Sequence, residues 1–445
     1  MSKSSTADKD TPSPAESKAL SRASSTSAVS TWPPPLGPAD LYQPMEDTII
    51  PLWFNAYLYL PQDPSVRSGF MEVLPGMYSN APPGSHLHLS TLAVGFFTIA
   101  AWTGQGPLLR ESERCFLRAL PKVREALQSP KDADVDTMLV SILLLSTYEE
   151  LAATKDSEHP VRTHLRGAIA LINEKRSKPT ITEQAPSQQI SHAIEAQIIK
   201  NSRTLVNPMV PTPKIWPLPH ARSPSPKVIL SSVASQIVHL RQTWEFLQTQ
   251  AFPKNETQIK NLLKKANEID INLVSWSHWL PEHWRPIPAT IIPPSVREAG
   301  MYRNRCDAYT DMWIALTWNT FRDCRILVQR IMLSCLRMKP SFDPDGTRDA
   351  AISMTLRKLA DDVCASVPYF LGDQVESVRM KSGLVRYPWA ETRPVTQTMS
   401  APLMGPWHVL PFLKNLFFSG LGLPPEQVSW IGGQINRVLV IYFQR

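Results

Sequence analysis

The stretch that decides the fold is residues 296–338, VREAGMYRNRCDAYTDMWIALTWNTFRDCRILVQRIMLSCLRM. Apolar and small side chains recur in it every three or four residues, which places them on one face of a helix. The spacing predicts one long helix of about ten turns that spans a large domain and organises the helices around it. The predicted stripe consists of Tyr302, Cys306, Tyr309, Trp313, Leu316, Thr320, Cys324, Leu327 and Ile331.

The composition favours the same class of fold. Of the 445 residues 42 are proline and 17 are glycine, so proline occurs at about twice its average frequency. Many prolines with few glycines favour helices ended by proline-rich connections and disfavour a glycine-dependent nucleotide fold. A net charge of +7 permits an acidic partner without identifying one.

The rest of the chain divides into a tail and one domain. Residues 1–39 are rich in Ser, Thr and Pro, and we expect them to be disordered because they have little apolar surface to bury. Residues 40–445 are predicted to form a compact, all-α, multi-helix array with proline-rich connections. No signal peptide or membrane-spanning run is predicted. The predicted helices cover residues 41–60, 87–102, 107–127, 138–151, 160–174, 187–205, 227–250, 257–279, 348–367, 402–421 and 425–443, with an extended connection over 208–226 and a polar loop over 372–400.

The cysteines predict buried thiols and no metal framework. The chain has five, Cys115, Cys306, Cys324, Cys335 and Cys364, and no two are spaced as C-x2-C. Such a set is typical of free thiols in a reducing compartment. Cys364 lies among apolar helix neighbours, which raise a thiol pKa and argue against a nucleophile.

Two histidine pairs are weak candidates for a site. His86 and His88 open an apolar helix, where side chains at i and i+2 point apart, so we expect a structural role at the helix start. His278 and His283 lie among Trp276, Trp279 and Trp284, which could line a ligand pocket. The favoured interpretation is a hydrophobic helix end with histidines at its rim.

The known catalytic templates are absent. The sequence contains no G-x-S-x-G, H-E-x-x-H, Walker A or G-x-G-x-x-G motif. Asp361-Asp362 and the group Lys260, Lys264 and Lys265 are both interpreted as solvated helix faces. We therefore assign no catalytic, cofactor-binding or metal-ligating residue, and expect no cofactor.

Arg322 and Arg325 are the strongest polar candidates. They lie three residues apart on one side of the predicted long helix, close to Asn319 and Asp323. Such a pair can hold a carboxylate or phosphate through bidentate bonds, or tie neighbouring helices together by ion pairs. The second interpretation is favoured.

Several segments, taken in order, resemble the regulatory domain of fungal zinc-cluster transcription factors (the fungal-specific transcription factor domain). The resemblance extends over roughly residues 40–440, and each motif gains weight from its order in the series. The motifs are residues 136–149 (DTML through LLLSTYE), 164–172 (HLRGAIALI), Asn207-Pro208 to Pro213, Leu273-x-x-Trp276 with Leu280-Pro281-x-x-Trp284, Trp318-Asn319-x-x-Arg322-x-x-Arg325, 360–368 (ADDVCASVP), Pro402-Leu403 and Trp430-Ile431.

The resemblance implies a transcriptional regulator, with one departure. Family members usually begin with a six-cysteine binuclear zinc cluster that reads DNA, whereas residues 1–114 contain no cysteine. We therefore expect no DNA-reading module of its own in this chain. The partners it implies are proteins of the transcription machinery or a second copy, with a small molecule as a further candidate, and no membrane.

The resemblance further implies a nuclear location, with a cytoplasmic pool as the alternative, and control of a secondary-metabolite pathway. Two other functions stay open: a helical enzyme or accessory protein of a biosynthetic pathway, and a scaffold that senses nothing.

Overall fold

The structure is a computed structural model that describes residues 45–57, 70–128, 135–156, 167–168, 171, 185–203, 225–250, 255–292, 294–298, 300–371, 378–379, 385–386 and 395–443. The expected disorder of the tail, the partner helix over 160–174 apart from three residues, and the connection up to residue 224 lie outside this part. The described helices are α1 (Met45–Tyr57), α2 (Leu74–Ser79), α3 (His86–Thr103), α4 (Gly106–Gln128), α5 (Val135–Asp156), α6 (Ala185–Arg203), α7 (Pro226–Thr249), α8 (Glu256–His278), α9 (Pro294–Glu298), α10 (Met312–Met338), α11 (Thr347–Leu371), α12 (Val395–Phe418) and α13 (Pro425–Phe443).

The described residues confirm the all-α prediction. Their β structure consists of two antiparallel pairs of two-residue strands, β1 (Ile287–Pro288) with β2 (Asp307–Ala308) and β3 (Val378–Arg379) with β4 (Val385–Arg386). The second pair and the first residues of α12 lie in the segment 372–400 that the sequence predicts to be loop. No helix in the described part is both long and apolar enough to cross a bilayer.

Helix α3 is the centre of the first half of the molecule. Every residue from Leu87 to Thr103 is buried, as its all-round apolar sequence predicts, because α1, α4 and α5 cover it. Gly95 permits the close contact with α1: a Cβ there would lie 2.7 Å from Ile50 Cδ1. Each fully buried Leu or Phe of this helix contributes about 1.5–3 kcal/mol to stability.

Helix α10 is the centre of the second half, but it is shorter than the sequence predicts. It begins at Met312, where the Asp311 carboxylate accepts a hydrogen bond of 2.7 Å from the Trp313 backbone N–H and so caps the helix. Arg303 and Asn304 have φ angles of 50° and 54°, which no right-handed helix accommodates. The single helix predicted over 296–338 is therefore wrong in its first third.

The segment before α10 is held in place by charges. Arg305 forms ion pairs with Asp307 at 2.8 Å and Asp362 at 2.6 Å, and Arg303 pairs with Asp361 at 3.1 Å. The segment thereby joins strand β1 on one side and α11 on the other. These contacts outweigh the continuation of the helical pattern.

Helix α10 packs on α7, α8, α11 and α12. Of its predicted stripe, Cys324, Leu327 and Ile331 are buried in the core. Trp313, Leu316 and Thr320 are only half-buried, because they line a cavity. The same face of one helix therefore serves as core at one end and as cavity wall at the other.

Helices α11 and α12 meet backbone to backbone. A Cβ at Gly405 would lie 1.8 Å from the Phe370 carbonyl oxygen, so only glycine fits there. Pro368 is predicted to end α11, but the helix continues to Leu371. A proline this close to a helix end removes only one backbone hydrogen bond of the last turn.

Candidate functional site

A cavity of about 370 Å³ lies at the junction of the two halves. Its walls come from α1, the 3-10 turn Phe70–Glu72, α3 and α5 on one side, and from α6, α7, α10 and α12 on the other. Most of the lining side chains are apolar, including Val94, Leu230 and Phe412. The volume is within the range of pockets that hold small organic ligands.

Basic and aromatic side chains converge on one part of this cavity, which we call the basic pole and define as Lys200, Lys227, Trp313, Trp407 and His408. The ammonium of Lys200 lies 5.9 Å from the ring centroid of Trp407. The ammonium of Lys227 lies 5.9 Å from the ring centroid of Trp313. The Trp313 and His408 rings pack against each other, with their centroids 5.2 Å apart. Three helices and the start of α10 supply these residues.

Two groups of the basic pole, Lys227 and His408, have lowered pKa values. Burial lowers the pKa of Lys227 from 10.5 to about 8, and the nearby Glu72 carboxylate opposes this shift. Burial first, and then the charges of Lys200 and Lys227, lower the pKa of His408 from 6.5 to about 3. At pH 7 His408 is therefore neutral, and Lys227 is mostly protonated.

Two buried nitrogens of the pole have no hydrogen-bond partner among the described residues. They are Nε1 of Trp313 and Nε2 of His408. An indole N–H only donates, and a buried polar group left without a partner costs about 1–3 kcal/mol. A ligand acceptor at this pole would remove that cost.

The acidic side chains of the cavity already have protein partners. The Glu150 carboxylate accepts hydrogen bonds from Lys200 Nζ, at 2.6 Å, and from the Gln197 amide. The Asp323 carboxylate accepts one from the Asn415 amide at 3.1 Å. The hydroxyls of Thr98, Thr147 and Thr317 donate to backbone carbonyls four residues earlier, at 2.7, 2.9 and 2.8 Å. The hydroxyl protons of these three threonines are thus committed within their own helices.

Lys200, Lys227 and His408 were not predicted from the sequence as site residues. Trp313 was expected in the core stripe, and Trp407 was not singled out. One usable signal was present: His408 interrupts an otherwise apolar run in α12, and a polar residue there needs either a buried partner or a cavity. Lys227 directly after the helix-starting Pro226 gave no such signal.

The histidines at the start of α3 have the structural role expected. His88 Nε2 lies 2.6 Å from Glu46 Oε1, which also accepts a 2.7 Å hydrogen bond from the Tyr78 hydroxyl. His86 Nδ1 lies 2.8 Å from Ser141 Oγ, on a different helix. Glu46 thus supplies a carboxylate partner for His88. Among the described residues no set of three His, Cys, Asp or Glu side chains could hold a metal ion.

The Trp276–Trp284 segment does not line the cavity. Trp276 and Trp284 are buried in the core and Trp279 is 87% exposed. Trp276 Nε1 donates to the Pro226 carbonyl at 2.7 Å, and Trp318 Nε1 donates to the Trp284 carbonyl at 2.6 Å. Trp276 and Trp284 thus pack in the core, as the favoured interpretation of a hydrophobic helix end predicts.

Arg322 and Arg325 also tie the structure together. The buried Arg322 donates to Tyr309 Oη at 2.8 Å and to Asn319 Oδ1 at 2.7 Å. Arg325 forms a two-bond ion pair with Asp270 of α8, at 2.8 and 3.3 Å. Neither arginine lines the cavity.

Of the two charged groups predicted to lie on solvated helix faces, one does and one does not. Lys260, Lys264 and Lys265 lie on an exposed face of α8, as predicted. Asp361 and Asp362 were expected on a solvated face, but both are half-buried in ion pairs with Arg303 and Arg305.

The cysteine predictions agree with the structure. All five are free thiols, and Cys306 alone is only partly buried. Burial raises the pKa of the Cys364 thiol to about 12, so this residue is a poor nucleophile at neutral pH.

Comparison with known proteins confirms the resemblance seen in the motifs. Residues 41–207 match the family described as "Fungal specific transcription factor domain". The matched stretch includes α1 to α6 and contributes Lys200 to the basic pole. The matched stretch and the helical fold make the chain similar to transcriptional regulators of fungal type.

A particular relative supports the same class. The chain is similar to "Transcription factor dbaG" of Emericella nidulans, at 20% identity over 348 residues that cover 76% of this chain and 77% of that protein. No solved structure matches the chain.

Proposed function

We propose that this chain is a non-enzymatic transcriptional regulator whose helical domain, residues 40–445, holds a small-molecule effector in the central cavity. The observation that carries the proposal is the cavity itself, with apolar walls and a basic pole that contains two buried nitrogens with no hydrogen-bond partner among the described residues. The family match and the relative support the regulatory class.

The position of the cavity explains how an effector would act. Its walls come both from the family-matched residues 41–207 and from α7, α10 and α12, which follow them in the chain. A molecule in the cavity contacts both parts and therefore stabilises the arrangement in which they are closed around it. The effector would shift the population of the partner-binding form.

DNA contact is proposed to run through a partner protein or a second copy of the chain. The 445 residues contain five cysteines and none before Cys115, so these residues cannot build a six-cysteine zinc cluster. We further propose that the chain acts in the nucleus and that the genes it controls encode a secondary-metabolite pathway, an assignment that comes from the resemblance alone.

The experiment combines deletion with a cavity-filling variant. Leu316→Trp adds volume from the wall of the cavity, and Leu117→Trp makes the same change on α4, where Leu117 is 57% exposed. Transcript profiling should show a defined gene set altered by deletion. Leu316→Trp should reproduce the deletion pattern, and Leu117→Trp should behave as wild type.

Circular dichroism and thermal unfolding of both purified variants check that they fold. An unaltered transcriptome after deletion would overturn the regulatory role. A folded Leu316→Trp variant with wild-type transcripts would overturn the role of the cavity.

A further inference from the structure

We infer that the ligand of the central cavity is an uncharged, flat aromatic molecule with a hydrogen-bond acceptor, such as an aromatic ketone, and that Trp313 donates its indole N–H to that acceptor. This inference rests on the proposed function, because it names the chemical class of the effector. Three properties of the lining support it: the balance of charges, the hydrogen-bonding groups and the composition of the walls.

The charged side chains of the lining already have partners within the protein. Glu150 forms an ion pair with Lys200 at 2.6 Å, and the carboxylate of Glu72 favours the protonated form of Lys227. The Asp323 carboxylate accepts hydrogen bonds of 3.1 Å at both oxygens from an asparagine amide of α12. None of these groups requires a charge from a ligand.

The balance of charges disfavours a charged ligand of either sign. The lining contains three carboxylates and two ammoniums, so an anion would enter surroundings that are negative overall. A cation near His408 would be repelled by Lys200 and Lys227, whose charges both act on that imidazole. A charged ligand would also lose its hydration among walls that are mostly apolar. An uncharged molecule avoids all of these costs.

The hydrogen-bonding groups that are left over at the pole are uncharged as well. Nε1 of Trp313 and Nε2 of His408 are buried and have no hydrogen-bond partner within the described part of the chain. The indole N–H can only donate, so it requires an acceptor, whereas a neutral imidazole has one donor and one acceptor nitrogen. A carbonyl oxygen accepts the indole hydrogen bond without bringing a charge into the cavity.

The walls favour a flat apolar body. Trp313 and Trp407 contribute indole rings, and Phe412 and Leu230 continue the lining. Indole and phenyl faces pack well against another ring in offset or edge-to-face arrangements. A volume of about 370 Å³ accommodates a two-ring compound.

Equilibrium dialysis of the purified full chain tests the charge of the ligand with two probes of similar size. The probes are 2-acetylnaphthalene, which is uncharged and has a carbonyl acceptor, and 2-naphthoate, which is an anion. Wild type should bind 2-acetylnaphthalene at least about tenfold more tightly than 2-naphthoate. Equal affinities, or tighter binding of 2-naphthoate, would overturn the uncharged class. Failure of both probes to bind would reject the flat aromatic class.

A third probe, 2-ethylnaphthalene, tests the hydrogen bond from Trp313, because it keeps the shape of 2-acetylnaphthalene and lacks the acceptor. The variant Trp313→Phe keeps an aromatic ring and removes the N–H. The ratio of the affinities for the acetyl and ethyl probes should fall about fivefold in this variant. The matched control Trp279→Phe, at a position that is 87% exposed, should keep the wild-type ratio.

An unchanged ratio in folded Trp313→Phe would overturn the role of its N–H, and circular dichroism verifies the fold of both variants. The comparison of 2-acetylnaphthalene with 2-naphthoate uses wild type alone and so does not depend on any variant. The transcript test with Leu316→Trp is independent of these probes, so it separates a wrong ligand class from a wrong function.

Discussion

The two ends of α10 carry polar groups that differ in how completely they are satisfied. Around Arg322 and Arg325 the polar side chains are hydrogen-bonded to one another. Tyr309 and Asn319 accept hydrogen bonds from Arg322, and Asp270 accepts them from Arg325. Near the start of the helix, Trp313 and its neighbour His408 each keep a buried nitrogen without a partner. A satisfied polar network specifies a fold, whereas an unsatisfied one beside a cavity marks a place for a ligand.

This difference reverses the importance that the sequence motifs suggest for the two regions. The arginines stand in the motif that most clearly resembles the family, yet they hold helices together. The basic pole has no recognisable motif because its residues come from four separate helices. The predictions below test this contrast.

Removal of Arg322 should have the largest effect. Arg322→Met leaves Tyr309 and Asn319 without their buried donor and should lower the free energy of unfolding by about 3 kcal/mol. Urea denaturation measures this, with Arg357→Met on the exposed side of α11 as the matched control. Equal stability of the two variants would remove Arg322 from the fold-holding network.

The pole should respond to acid. The pKa of His408 is about 3 when folded and 6.5 when unfolded, so the unfolded chain binds more protons between these values and stability falls as pH falls from 6.5. From pH 7 to pH 5 this one residue should cost about 2 kcal/mol.

The measurement compares urea denaturation of wild type and His408→Gln at both pH values. The variant should lose less stability, by that amount, because glutamine does not titrate. Parallel losses in the two proteins would show that His408 is not buried in its neutral form.

The ion pair of Arg325 should contribute less to the free energy of unfolding than the hydrogen bonds of Arg322, because the pair is partly solvated. Asp270→Asn keeps the shape of the side chain and removes its charge. It should destabilise the protein by about 1.5 kcal/mol in urea unfolding. High salt should reduce the difference from wild type. A larger loss than that of Arg322→Met would contradict the ranking of the two contacts.

The sequence predicted the helices best where local and tertiary signals agree. Helix α3 is apolar on all sides and is buried on all sides. The beginning of α10 was misjudged because its helical periodicity continues through Gly300 and Asn304, both of which adopt left-handed conformations. Asp311 was the available signal, since aspartate is a frequent helix cap.

The candidate site could not be predicted from the sequence. Lys200, Lys227 and His408 are individually ordinary residues, and only the packing of α6, α7 and α12 brings them together. The stripe on α10 was correct as a face, but periodicity alone does not distinguish a side chain that faces the core from one that faces a cavity. Trp313 and Leu316 illustrate this.

The most direct test of the central claim is hydrogen–deuterium exchange of wild type and of the cavity-filling variant Leu316→Trp. If the cavity between the two halves is a place for a ligand, the added indole should slow amide exchange together in α5, on one side of the cavity, and in α7 and α12, on the other, and leave α4 unchanged. Leu117→Trp should leave exchange in α5, α7 and α12 as in wild type. Unchanged exchange in all three helices, or protection confined to α8 around Arg325's partner Asp270, would contradict the account.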